Sequence, residues 1–349
     1  FGIEVRWVEG NDPADFVAKT DERTKAYYIE TIGNPRLDVP DIGAIADAAH
    51  AQQLPLVIDN TFAPILAKPI EHGADIVIHS ATKFLGGHGT TLGGVVVESG
   101  LFNWGNGKFP TMTEPVPSYG NVSWWGNFGE YGFLTKLRSE QLRDFGPALA
   151  PASAQQLMIG IETLAQRMDA HLANAQRVAE WLEADERVSW VNYAGLPEHA
   201  DYKLVQRYMG GRASGILTFG VKGGREAGAR FQDALKLVVR LVNIGDTRSL
   251  VLHSASTTHR QHTEEQQHHD RDRGAVPELA LRERLLVHRE RDHAARCPGA
   301  AGGHDVDEVE ELDHVDDERD RHDRDRQAHH RHDDPPEDLR LGGPVDSGR

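Results

Sequence analysis

Ile76-Val77-Ile78-His79-Ser80-Ala81-Thr82-Lys83 decides the fold, because a short apolar run empties directly into hydroxyls and a lysine. The run is too short for a helix and suits a strand buried on both faces. The same pattern occurs twice upstream. Ala26-Tyr27-Tyr28-Ile29-Glu30 reads as a strand and leads into Thr31-Ile32-Gly33-Asn34-Pro35. Leu56-Val57-Ile58-Asp59 reads as the next and runs on into Asn60-Thr61. Gly93-Gly94-Val95-Val96-Val97 supplies a fourth, and Gly2 to Val8 reads as a strand at the start of the chain.

The connectors support this order. From Pro40 to Gln53, Ile42, Ile45, Ala46 and Ala49 fall at helical spacing, with Asp41 placed to start the helix. Ile70-Glu71-His72-Gly73 links the second strand to the third. Short apolar strands joined by helical connectors predict an α/β fold with a mainly parallel sheet covered on both faces. In such sheets ligands bind outside the carboxyl ends of the strands. If the three strands are neighbours, Asn34, Asp59, Ser80, Thr82 and Lys83 meet on one edge.

Those residue types have a chemistry in common. A lysine just past a buried strand, among glycines and hydroxyls, is a setting for an amine that forms a Schiff base. A carboxylate such as Asp59 suits a protonated ring nitrogen, since each charge stabilises the other. Ser80 and Thr82 flank the lysine and can donate to a phosphate. Each residue alone also has a plainer reading: Lys83 as a solvated surface lysine, Asp59 as a turn residue, Ser80 and Thr82 as helix caps. Gly86-Gly87-His88-Gly89 matches neither the P-loop nor the dinucleotide fingerprint, and His88 reads as structural.

Composition narrows the classes. The chain has 349 residues and a net charge of −16. That charge disfavours sequence-independent nucleic-acid binding, which needs clustered Lys and Arg. No apolar run reaches the length of a membrane span. Cys297 is the single cysteine, which makes a reducing, cytoplasmic setting the expectation.

Glu30-Thr31-Ile32-Gly33-Asn34-Pro35, Val57-Ile58-Asp59-Asn60-Thr61-Phe62 and His79-Ser80-Ala81-Thr82-Lys83, in this order and spacing, resemble the Cys/Met-metabolism family of pyridoxal-phosphate (PLP) enzymes. The stretch from Lys83 to Gly94 and the aromatic insertion from Pro117 to Trp125 are most similar to its O-acetylhomoserine sulfhydrylase branch. Gly160-Ile161-Glu162-Thr163-Leu164, Trp190-Val191-Asn192-Tyr193 and Gly245-Asp246-Thr247-Arg248-Ser249-Leu250-Val251 extend the resemblance, which covers residues 1 to 267.

The resemblance implies a PLP-dependent transferase fold of the aspartate-aminotransferase type. Residues 1–146 would form part of the large PLP-binding domain. Residues 147–267 would supply a bridging helix, Pro151 to Ala184, and a smaller C-terminal α/β domain with strands at Ser214–Gly220 and Ser249–His253. Lys83 would anchor PLP and shuttle protons, Asp59 would pair with the pyridine nitrogen, Asn34 would bond the ring hydroxyl, and Ser80 and Thr82 would bind the phosphate; no metal is implied. The implied reaction is γ-replacement, turning O-acetylhomoserine and sulfide into homocysteine and acetate in methionine biosynthesis. The implied assembly is a homotetramer built as a dimer of dimers. Cystathionine synthase or lyase of the same family is the alternative, and a non-catalytic truncated remnant is another.

Two departures accompany the resemblance. The family's N-terminal segment, with its phosphate loop and stacking aromatic, has no counterpart here. The region expected to carry the substrate-carboxylate arginine reads Glu278-Leu279-Ala280-Leu281-Arg282-Glu283-Arg284-Leu285-Leu286, and no arginine in it is assigned that role. Residues 268–349 change character altogether, with 14 basic and 23 acidic residues and no aromatic or isoleucine. Such a segment cannot offset its ordering entropy, so it is expected to be disordered. Loss of every residue type with AT-rich codons favours an out-of-frame translation; a genuine disordered tail and a His-rich metal-binding tail are the other readings.

Overall fold

The computed structural model describes residues 2–8 and 10–253, and the backbone of 278–280. All of these lie in the first of two compact units, residues 1–290. Strands β1 (Tyr27–Glu30), β2 (Leu56–Asp59), β3 (Ile76–Ser80) and β4 (Gly94–Glu98) form a sheet in that order. β1, β2 and β3 run parallel, as the helical connectors imply. β4 pairs antiparallel with β3, so the sheet is mainly parallel with one antiparallel edge strand. The connection from Ala81 to Gly93 is a compact turn instead of a crossover helix, so the chain returns along the edge of β3.

Alternation along the strands feeds two apolar layers. Tyr27, Ile29, Leu56, Ile58 and Val77 face the main core. Val57, Ile76 and Ile78 face a second cluster built from Phe102, Trp104, Phe109, Met112 and Trp124. Helix α1 (Pro13–Ala18) and helix α2 (Ile42–Ala51) pack on the first layer. Asp41 caps α2 by accepting from the Ala44 N–H at 3.2 Å, and Ile42, Ile45, Ala46 and Ala49 are its buried residues. The aromatic insertion leads into α4 (Trp124–Phe128), which packs with α3 (Pro110–Thr113) before it and α5 (Gly132–Lys136) after it against the second layer, where the Trp104 and Phe133 rings stack with centroids 5.0 Å apart.

The run expected as one bridging helix is two: α6 (Pro151–Glu162) and α7 (Leu164–Glu183), broken at Thr163. α7 buries Leu164, Met168, Leu172, Ala175, Val178, Ala179 and Leu182 in one stripe. Beyond it, β5 (Val188–Asn192), β6 (Ile216–Val221), β7 (Val239–Arg240), β8 (Leu250–Leu252) and β9 (Glu278–Ala280) form a mixed sheet ordered β5-β6-β9-β8-β7, accompanied by α8 (Tyr202–Met209) and α9 (Gly224–Asp233). Only its β7–β8 pairing is parallel among the described residues. Both sheets share one core, in which Phe84, Met168, Phe219 and Ile244 lie together. Burying each such side chain contributes about 1.5–3 kcal/mol.

Two expectations meet a different chain. Gly2–Val8 is not a strand: no strand among the described residues pairs with it, Ile3 and Trp7 are exposed, and Arg6 ties it down by bonding Asp21 at 2.7 Å. Glu278–Ala280, inside the stretch expected to be disordered, pairs as β9 between β6 and β8. The rest of 268–349, and the side chains where the substrate arginine is sought, lie outside the described residues.

Candidate active site

Because β1, β2 and β3 are parallel neighbours, their carboxyl ends share one edge. Asp59 closes β2, half-buried, with Glu30 opposite it on β1 and Ile78 on β3. Its Oδ1 accepts from the Thr61 N–H at 2.8 Å, and its Oδ2 from the Tyr28 hydroxyl at 3.4 Å. The Thr61 hydroxyl accepts from the Ser80 N–H at 2.8 Å. Asp59 and Ser80 are thus braced through one threonine.

Lys83 follows within a turn, its N–H donating to the Ser80 carbonyl at 3.1 Å. Its Nζ donates to Asn243 Oδ1 at 3.2 Å. Thr82 Oγ1 accepts from the Gly93 N–H at 3.1 Å and donates to the Gly93 carbonyl over a long 3.4 Å. Asn34 lies on the loop after β1; its side chain is exposed and its N–H donates to Glu30 Oε2 at 2.7 Å. The fold therefore gathers Asp59, Ser80, Thr82 and Lys83 around the ends of β2 and β3, and leaves Asn34 anchored through its backbone. His88 Nδ1 bonds the Gly86 carbonyl at 2.7 Å within its own turn.

Sequence reasoning missed Asn243. Its amide nitrogen donates to Asp246 Oδ2 at 3.4 Å, and Asp246 holds Arg248 through both oxygens at 3.0 and 2.9 Å. That network fixes the amide with its oxygen toward Lys83. The only local signal is its place two residues before Gly245, just outside the matched stretch. Burial alone would raise the Asp246 carboxyl, but Arg248 and the Asn243 amide outweigh it and hold it below the usual range.

Two further groups surround Asp59. Burial pushes the Glu30 carboxyl up, opposed by the Asn34 N–H and reinforced by Asp59 and Asp38. Burial lowers the His79 imidazole against the opposing charge of Asp59, and His79 Nδ1 is buried without a hydrogen-bond partner. This donor set suits an aldehyde-bearing pyridine phosphate: a primary amine, a carboxylate one strand away, and hydroxyls flanking the amine. Among the described residues no group of three or more His, Cys, Asp and Glu could hold a metal, and no helix is long and apolar enough to cross a membrane. A cavity of about 300 Å³ lined by His50, Asp75 and Ser99 opens at the opposite end of β3, away from this chemistry.

A family model described as Cys/Met metabolism PLP-dependent enzyme matches residues 1–278. O-acetyl-L-homoserine sulfhydrylase of Leptospira meyeri is 47% identical over 272 residues, which cover 75% of this chain and 62% of the relative. A putative O-acetylhomoserine (thiol)-lyase of Campylobacter jejuni, solved with a pyridoxyl-lysine monophosphate, superposes with a TM-score of 0.72 at 33% identity, over 78% of this chain and 65% of that one. O-acetylhomoserine sulfhydrylase of Wolinella succinogenes superposes with a TM-score of 0.68 at 35% identity, over 83% and 76%. The chain thus spans about 62% of the length of the first curated relatives it matches.

Proposed function

The chain belongs to the Cys/Met-metabolism family of PLP-dependent enzymes, and from that premise we propose that the whole protein replaces the acetate of O-acetylhomoserine with sulfide, giving homocysteine for methionine biosynthesis. The observation that carries this reading is the Lys83 amine at the edge where Asp59 ends β2 and Ser80 ends β3, in a chain similar to sulfhydrylases. PLP, when bound, supplies an aldehyde for an amine and a conjugated ring that takes up the electron pair left at Cα.

The chain's own residues do the rest. Lys83 would hold the cofactor through its amine, and the free amine would move protons at the substrate Cα and Cβ. Those transfers let acetate leave from Cγ and sulfide add in its place. Asp59 would pair with the ring nitrogen and favour its protonated form, with the Thr61 N–H fixing the carboxylate. Asn34 would bond the ring hydroxyl. Ser80 and Thr82 would hold the phosphate; the long 3.4 Å bond from Thr82 to Gly93 leaves its hydroxyl hydrogen available to a stronger acceptor.

We further assign residues 1–146 to the large PLP-binding domain and 147–267 to the bridging helices and smaller domain, in a cytoplasmic homotetramer arranged as a dimer of dimers. The test supplies the purified chain and PLP with O-acetylhomoserine and sulfide, and measures homocysteine and acetate. Equal release of both supports the reading. Cystathionine formed from O-acetylhomoserine and cysteine faster than homocysteine from sulfide would replace it with a cystathionine synthase.

A further inference from the structure

Arg167, in the first turn of α7, spreads its guanidinium over the turn that follows Lys83. Nη1 donates to the Phe84 carbonyl at 2.8 Å. Nη2 donates to the Leu85 carbonyl at 3.2 Å and to the Gly160 carbonyl at 2.6 Å. Nε donates to the Thr163 hydroxyl at 3.1 Å. These acceptors are neutral oxygens, and burial lowers the pKa of the guanidinium. A half-buried cation set on peptide carbonyls is costly unless its geometry is well satisfied, and a planar fork with several donors satisfies it where a single ammonium cannot.

The turn is confined from other sides as well. Gly86 N–H bonds the Ala81 carbonyl and Gly87 N–H the Lys83 carbonyl, both at 2.8 Å, while the Thr247 N–H bonds the Gly87 carbonyl at 2.7 Å. Gly160 lets α6 approach: a Cβ there would lie 2.3 Å from the Gly86 carbonyl oxygen. Gly87, at φ +72°, lies against the guanidinium, where a Cβ would sit 2.3 Å from Arg167 Nη1. The peptide leaving Lys83 is therefore fixed to the break between α6 and α7.

We propose that Arg167 is a positioning residue for the Lys83 amine: by holding the Phe84 and Leu85 carbonyls at the α6–α7 break, it sets where the lysine side chain begins and how readily its amine captures an aldehyde cofactor. The inference rests on Lys83 as the cofactor lysine, and not on the identity of the substrate. It adds a residue from outside the strand edge to the machinery that presents the amine.

The test compares the full 349-residue chain with Arg167→Met, Arg167→Lys and Arg212→Met. The last removes a cation that lies outside α7 and pairs at 2.7 Å with Asp169 on the exposed surface of that helix. Three readouts are taken: the rate of PLP capture, the visible circular dichroism of the bound cofactor, and thermal stability. Arg167→Met should capture PLP roughly tenfold to a hundredfold more slowly, the range a displacement of about 1 Å produces, with a weakened visible band. Arg167→Lys should fall between that variant and the parent, and Arg212→Met should match the parent. If Arg167→Met does not fold, Arg167→Lys decides by the same readouts. Lowered thermal stability with an unchanged capture rate and visible band would make Arg167 a fold-stabilising residue and overturn the proposal. PLP capture in the parent without homocysteine formation would sink the substrate assignment and leave this inference standing.

Discussion

Lys83 Nζ lies 3.2 Å from Asn243 Oδ1 although 160 residues separate them in the chain. The amine proposed to do the chemistry comes from the first sheet, and the group that steadies it comes from the segment leading into β8. Replacing Asn243 with Ala removes the acceptor that holds the Lys83 amine, a bond worth about 1 kcal/mol. Asn243→Ala should therefore lower kcat for homocysteine formation by about fivefold, read in a sulfide-dependent assay.

Acid should loosen this support through Asp246. Its carboxyl is buried and held below the ordinary aspartate value of about 3.9. A depressed folded value stabilises the fold fully above the unfolded value, and that contribution is lost as pH falls through the folded value. Asp246→Asn should flatten the stability curve below about pH 4 and cost about 2 kcal/mol at neutral pH. Denaturant melts across the acid range check both.

Asp59→Asn should leave PLP capture measurable and lower kcat on the order of a hundredfold, as loss of one preorganised electrostatic group does. Asp59→Glu, which keeps the charge, should recover part of that loss. Equal kcat in the two variants would mean the charge at this strand end is not used.

Gly160→Ala should displace the turn after Lys83, since the added methyl would sit 2.3 Å from the Gly86 oxygen. Overpacking of this kind costs about 1–3 kcal/mol. The thermal midpoint should fall and PLP capture should slow together in this variant.

What the sequence disclosed follows how locally each feature is specified. Leu56–Asp59 and Ile76–Ser80 were legible because a few apolar residues bounded by turn signals admit little besides a strand, and Asp41 because capping is a local bond. The direction of β4 was not, since it depends on whether 81–93 crosses over or doubles back. Nor was the break at Thr163, where helix-forming residues run on either side and the interruption is met by Arg167, bonded across to Phe84 and Leu85. Asn243 was invisible for a related reason: nothing near it in sequence refers to Lys83. That Asp59, Ser80, Thr82 and Lys83 lie around neighbouring strand ends was legible because strand ends in a parallel sheet meet by construction, whereas the exposed side chain of Asn34 was not, since it lies on a loop whose course its own residues do not dictate.

Every role assigned at the strand edge depends on Lys83 as the cofactor lysine. Loading the chain with PLP, reducing it with borohydride and mapping the peptides by mass tests this directly. A phosphopyridoxyl mass is expected on the peptide that contains Lys83, absent from Lys83→Ala. The same label on another lysine, with the Lys83 peptide unmodified, would contradict it.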